Sequence, residues 1–257
     1  MCRLLAYSGA PIFLETALTD PPHSLVSQSK TALESMSSVN ADGCGIGWYG
    51  ERAEPARFRS VHPAWGDENL LSLCRQTRSR LFVGHIRAAT SGGVSNVNCH
   101  PFVAGRYMFL HNGAVGGFAR MRHRVEPMLP EAYYGHRFGT ADTEAIFLNA
   151  LGHDLETDPV AAVSRSLTDF LKLIDAMGLD EAIHLAAILT DGETVWAFRW
   201  ASRHLAPTLY TRRIETGMIV ASEPYDDDRG DWDSVPEDSV TVIAADGGVD
   251  RRPFRPG

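Results

Sequence analysis

Short strand-like runs dominate this chain and restrict its folding more than any other feature. Runs rich in β-branched, aromatic and other apolar residues occupy 3–7, 45–49, 57–61, 81–87, 107–111, 183–190, 195–199, 217–221 and 240–244. Asp191-Gly192 lies between two of them and reads as a hairpin turn. Helical periodicity appears over 68–75, 142–151 and 159–177. In the last, Ala162, Leu167, Phe170, Leu171 and Ile174 fall at helical spacing, and Pro159 suits a first turn. Many strands with two long helical segments predict sheets covered by helices. No repeat and no Pro/Ser linker divides the sequence, so residues 1–257 are expected to form one domain, with a surface tail at about 250–257.

Composition narrows the function. A chain of 257 residues with 44% hydrophobic and 22% charged residues can bury a sizeable core. The net charge of −8 and unclustered Lys and Arg argue against nucleic acid as a partner. Arg212-Arg213 and Arg251-Arg252 read as solvated faces or tail. No apolar run is long enough to span a membrane, and the first 20 residues make a poor signal peptide. A cytoplasmic protein is expected, with Cys2, Cys44, Cys74 and Cys99 as reduced thiols. Cys and His spacing matches no zinc site, so neither a metal nor another cofactor is expected.

Four constellations could carry chemistry. Met1-Cys2 opens the chain, and trimming of the initiator Met would leave a thiol and an α-amine on one residue. A free α-amine titrates near pH 8 and can activate its own side chain. Gly84-His85-Ile86-Arg87-Ala88-Ala89-Thr90 sends Arg87 to a strand end, where its planar fork can bind a carboxylate and Thr90 can complete the cradle. His111-Asn112-Gly113 places a side-chain amide beside a glycine N–H, a pair suited to an oxyanion. Asp142, at the start of a helical run, could bind an ammonium. Each has a plainer reading. Cys2 could be chance, Arg87 a surface strand end, Asn-Gly a hairpin turn, and Asp142 a helix cap. Asn40-Ala41-Asp42-Gly43-Cys44-Gly45 reads as a turn whose glycines let backbone approach a ligand, with Cys44 a buried small residue.

Order along the chain favours the chemical readings. Cys2, N-A-D-G-x-G-I-G-W from Asn40, G-H-I-R-x-x-T from Gly84, N-x-H-P-F from Asn98, H-N-G from His111 and T-x-D-T-E from Thr140 together resemble the class II, N-terminal nucleophile, glutamine amidotransferases. The resemblance implies an α+β four-layer αββα sandwich. It also implies that Cys2 attacks a γ-amide to form a thioester, with its α-amine as base and then acid. Asn112 and Gly113 would form the oxyanion hole. Arg87, Thr90, His111 and Asp142 would line the substrate site, with Arg87 and Thr90 on its α-carboxylate and Asp142 on its α-ammonium. His100 would order the loop. Many relatives carry His or Trp near the Arg–Thr loop where this chain has Ala88, Ala89 and Ser91.

The opening M-C-R-L-L-A-Y, Asp20-Pro21-Pro22-His23-Ser24-Leu25 and Ala221-Ser222-Glu223-Pro224-Tyr225 look like a stand-alone subgroup that includes the γ-glutamyl hydrolase of ergothioneine biosynthesis. The amidotransferase fold is expected to occupy the whole chain and leave no room for an ammonia-using synthase domain. Three functions follow as expectations. The first is a γ-glutamyl amide hydrolase. The second is a glutaminase feeding a separate ammonia-accepting synthase. The third is a silent binder of glutamine-like ligands, against which the intact nucleophile set argues. A homodimer is compatible with all three.

Overall fold

A computed structural model describes residues 2–31, 33–34, 39–89, 93–203 and 205–257. Its strands are β1 (Arg3–Phe13), β2 (Cys44–Trp48), β3 (Ala56–Ser60), β4 (Arg78–Ile86), β5 (Phe102–Ala104), β6 (Tyr107–Val115) and β7 (Ile183–Thr190). They continue with β8 (Val195–Ala201), β9 (Tyr210–Ile214), β10 (Gly217–Ala221), β11 (Asp233–Ser234), β12 (Ser239–Ile243) and β13 (Val249–Pro253). The helices are α1 (Glu15–Leu18), α2 (Leu25–Gln28), α3 (Glu68–Gln76), α4 (Phe118–Val125), α5 (Glu131–Tyr134), α6 (Asp142–Leu151) and α7 (Pro159–Ala176).

Two antiparallel sheets stack face to face. One runs β11-β9-β10-β1-β4-β2-β3 and the other β13-β12-β8-β7-β6-β5. Side chains alternate across each strand, so every inner strand feeds two cores. In β1, Leu4 and Ala6 pack with Met108 and Leu110 of β6 and Ala186 and Ile188 of β7 between the sheets. Leu5 and Tyr7 face the other way, onto Leu14, Ala17, Leu18 and Leu25 around α1 and α2. In β6, Phe109 and Val115 turn outward onto α4, α6 and α7 through Phe118, Phe147 and Phe170. A one-residue slip would reverse every such choice, and each large side chain turned out of a core would forfeit roughly 2 kcal/mol. The result is the expected αββα sandwich, with helices outside both sheets.

Several elements depart from the sequence expectation. The segment expected as a surface tail does lie at the surface, but as an edge strand: β13 is exposed and pairs with β12, and Phe254 is buried against Phe198 at 4.9 Å between ring centroids. Both Arg pairs lie in strands. Arg212 of β9 reaches Asp226 and Asp231, whereas Arg251 and Arg252 are exposed on β13. Asn112-Gly113 is no hairpin turn, for it continues β6, with Gly113 in register with Leu185 of β7. The glycines of β2 do admit backbone, but the chain's own: a Cβ at Gly45 would collide with the His100 carbonyl, and one at Gly47 with Pro101 and Met108. Segment 99–101 therefore inserts where two side chains are missing. No described helix is long and apolar enough to cross a membrane.

Candidate active site

The site lies at the end of the inter-sheet layer where β1 begins and β6 ends. Leu4 of β1 is in register with His85 of β4, and His85 reaches across to the opposite sheet. Its Nε2 donates to the His111 carbonyl at 3.3 Å, which fixes the tautomer because a carbonyl only accepts. Asn112 follows His111 on β6, on the strand face that Leu110 turns between the sheets, and Cys2 precedes Arg3, the first residue of β1.

Cys2 is buried, with Sγ 3.5 Å from the Ala88 carbonyl and accepting from the Ala88 N–H at 3.4 Å. Burial pushes its thiol above the ordinary value. The Ala88 N–H and the Arg87 cation pull it down, while the Asp142 carboxylate adds to the rise. A buried, protonated thiol needs a base at the moment of attack. Cys44, which begins β2, is pushed up to about 12 by burial and bonds the His62 carbonyl at 3.7 Å.

Arg87 follows β4 directly and is buried. Its N–H donates to the Gly43 carbonyl at 2.8 Å, and its own carbonyl accepts from Asp42 at 3.2 Å. Nη1 donates to the Gly93 carbonyl at 3.2 Å. The partner expected in its cradle, Thr90, lies outside the described residues, as do Ser91, Gly92 and Met1. Asn98, to which the sequence assigned no role, fastens the far side of this loop. It donates to the Gly93 carbonyl at 2.9 Å and accepts from the Thr140 N–H at 2.7 Å.

Asp142 is the first residue of α6 and is buried; the cap position is Ala141, with no side-chain cap. Its Oδ2 accepts from the Val115 N–H at 2.9 Å, tying the helix start to the end of β6, two residues past Gly113. Its Oδ1 accepts from the Thr143 N–H at 2.8 Å. A buried pair holds the approach to this helix. Arg137 meets Glu144 at 2.9 Å, and Glu144 also accepts from the Gly139 N–H at 2.9 Å. Glu144 was legible only as a motif letter.

Asn112 is 1% exposed, and neither atom of its carboxamide has a hydrogen-bond partner among the described residues. Gly113 has φ +150°, and a Cβ there would collide with the His184 carbonyl, so only glycine fits. His111 departs from the expected substrate contact. It faces the helix layer, where Nε2 donates to the His184 carbonyl at 2.9 Å and Nδ1 accepts from Thr143 Oγ1 at 3.1 Å. Both ring nitrogens are thus used within the protein, and burial holds the ring below its ordinary value. His100 stacks on His85 at 3.8 Å and meets the edge of Phe102 at 4.9 Å. Burial pushes His85 down to about 3 and His100 well below its usual value. The stack is neutral, while the His100 backbone fills the space above Gly45 and Pro101 and Met108 that above Gly47. Among the described residues no group of His, Cys, Asp or Glu could hold a metal ion.

The family profile described as glutamine amidotransferases class-II matches residues 1–244. The chain belongs to the class II glutamine amidotransferases. This amidotransferase is 31% identical over 291 residues to "Probable glutamine amidotransferase DUG3" of Saccharomyces cerevisiae, covering 95% of this chain and 82% of that one. It is 30% identical over 249 residues to "Gamma-glutamyl-hercynylcysteine sulfoxide hydrolase" of Mycobacterium tuberculosis, covering 96% and 94%. Among solved structures it superposes on a glutamine aminotransferase class-II domain protein from Silicibacter pomeroyi. There the TM-score is 0.79 and the identity 33%, with 99% of this chain and 100% of that one covered. The glutamine PRPP amidotransferase of B. subtilis shares the fold, with TM-score 0.65 at 15% identity over half of that chain. The amidotransferase is accordingly an enzyme of the N-terminal nucleophile fold.

Proposed function

We propose that this amidotransferase hydrolyses a γ-glutamyl amide whose leaving group is an amine larger than ammonia, with residues 1–257 acting as one unit. The observation that carries the chemistry is the buried carboxamide of Asn112. It lacks a partner among the described residues and stands on β6, at the end of the layer where β1 starts at Arg3, the residue after Cys2. A buried polar group left open in this way is costly unless a ligand completes it. The choice of a larger leaving amine draws on the relative named as a sulfoxide hydrolase.

With Met1 removed, Cys2 Sγ attacks the γ-carbonyl carbon while the α-amine takes the thiol proton. The carbonyl oxygen becomes an oxyanion held by Asn112 Nδ2–H and the Gly113 N–H. Collapse breaks the C–N bond, and the α-ammonium returns its proton to the departing nitrogen. Water then adds to the thioester and gives a proton to the amine. The C–S bond breaks, the thiol regains its proton, and glutamate leaves. Arg87 holds the α-carboxylate and Asp142 the α-ammonium, the two charged groups that also face Cys2. Thr90 assists Arg87 in this reading. His111 and His100 act behind the site, the first holding β6 against α6 and the second filling the inter-sheet gap.

A screen of γ-glutamyl amides, glutamine included, with released glutamate as the readout tests this. A γ-glutamyl peptide or thiol conjugate should be turned over at least tenfold more efficiently than glutamine. Glutamine as best substrate would instead assign the protein to ammonia supply for a separate synthase. Cys2→Ala should abolish turnover with its unfolding midpoint retained, and unchanged turnover would refute the nucleophile.

A further inference from the structure

The residue after the proposed nucleophile is a fully buried arginine. Arg3 faces away from the inter-sheet layer, on the same side of β1 as Leu5 and Tyr7. There its Nη2 lies 3.4 Å from Glu223 Oε2, both side chains being 0% exposed. None of its three guanidinium nitrogens has a hydrogen-bond partner among the described residues, so the contact with Glu223 is an ion pair alone. A buried cation so poorly solvated stays only if a fixed anion faces it.

Glu223 is fixed from several sides. Its Oε1 accepts from His23 Nε2 at 2.5 Å and from the Leu33 N–H at 2.9 Å. Its Oε2 accepts from the Glu34 N–H at 3.1 Å. Gln28 Nε2 donates to the carbonyls of His23 and Glu223 at 2.9 and 3.3 Å. The preceding residue clamps β1 itself. Ser222 Oγ accepts from the Leu4 N–H at 3.1 Å, and the Ser222 N–H donates to the Leu4 carbonyl at 3.0 Å. Burial alone would raise the Glu223 carboxyl. The bonds from His23, Leu33 and Glu34 and the Arg3 cation together hold it below the ordinary value, so it is an anion.

The same hub reaches the site by a second route. Next to Gln28, the Ser29 carbonyl accepts from the Asn40 N–H at 2.8 Å, and Asp42 then bonds the residues beside Cys2. The Asp42 N–H donates to the Arg87 carbonyl at 3.2 Å, and its Oδ2 accepts from the Ala89 N–H at 2.8 Å. Ala88, between those two, is the residue that touches Cys2 Sγ.

We propose that Arg3 and Glu223 form a positioning pair for Cys2, in which Glu223 sets both the place of β1's first residues and the net field that the Arg3 cation exerts on the nucleophile. The inference rests on Cys2 being the reactive residue. Arg3 is charge-coupled to Cys2 as well as to Glu223 and Glu34. The other groups facing Cys2 are Arg87, Asp142 and Cys99. Glu223 offsets the Arg3 cation, and His23 shares that carboxylate.

The pair is testable without turnover. The rate of iodoacetamide alkylation at Cys2, resolved from Cys44, Cys74 and Cys99 by peptide mass, is followed against pH in the full chain. Glu223→Gln keeps one of the two acceptor oxygens that serve Leu33 and Glu34 but leaves Arg3 uncompensated, so the midpoint at Cys2 should fall by about half a pH unit. Arg3→Met leaves Glu223 uncompensated and should raise the midpoint by a similar amount. Arg3→Lys keeps the charge and should return it to the parent value. Unmoved midpoints in Glu223→Gln and Arg3→Met, or Arg3→Lys behaving as Arg3→Met, would overturn the proposal. A protein that labels with the expected shifts yet hydrolyses no γ-glutamyl amide refutes the hydrolase reading alone.

Discussion

Asn112 keeps its amide without a partner among the described residues, and the cost of that choice falls on stability. Replacing it separates the two roles. Asn112→Ala should lower kcat by 10²- to 10³-fold, the usual loss for one oxyanion donor, with little change in KM. The same variant should be as stable as the parent or up to about 1 kcal/mol more stable, because it removes an unsatisfied buried group. Single-turnover kinetics and urea unfolding on one preparation check both. Arg87→Lys trades a planar fork for a point charge, so KM should rise about tenfold or more with kcat less affected. A parent-like KM would remove Arg87 from the carboxylate role. Gly113→Ala should destabilise by about 2 kcal/mol or more, since its Cβ meets the His184 carbonyl at a φ that side chains avoid.

Among the elements, α6 carries most of the site's alignment. Its first residue bonds the end of β6, and its third, Glu144, pairs with Arg137 in a nearly dry contact. Glu144→Gln leaves the Arg137 cation buried beside a neutral amide and Glu126. It should cost roughly 3 kcal/mol in unfolding free energy and weaken substrate binding through Asp142. Chemical unfolding paired with KM measurement tests the link. The elements also show what a sequence reveals. Strands with alternating apolar residues, such as β1, β4, β6 and β7, were legible because each feeds two cores. Strands β9 and β13 were not, because Arg212-Arg213 and Arg251-Arg252 interrupt the pattern at or near a sheet edge. Among the site residues, Cys2, Arg87, Asn112, Gly113 and Asp142 stand in ordered motifs and were readable together. Asn98 and Glu144 stood in those motifs without a role. The Arg3–Glu223 pair joins positions 220 residues apart, a distance no local pattern spans. The direction of His111 was missed for a simpler reason: alternation along β6 puts it on the face opposite Asn112.

At the level of the whole molecule, the stacked His85 and His100 join the two sheets as neutral rings. Their folded values lie below the ordinary 6.5. The unfolded chain therefore takes up protons that the native protein excludes, and stability falls as pH drops below 6.5. The loss grows until about pH 3 for His85. At pH 5 each such ring should remove about 2 kcal/mol relative to pH 7.5. Urea unfolding at the two pH values measures it, and equal stabilities would contradict neutral burial.

The position of β1 has a consequence for synthesis. It is the first strand made, yet it sits between β4 and β10, and β10 is completed only at residue 221. At ribosomal speeds of about 5–20 residues per second, the chain's opening residues wait roughly ten to forty seconds for their second neighbour. During that wait Cys2 has no finished sheet to enter, so its thiol stays open to solvent and to modification before the sandwich forms.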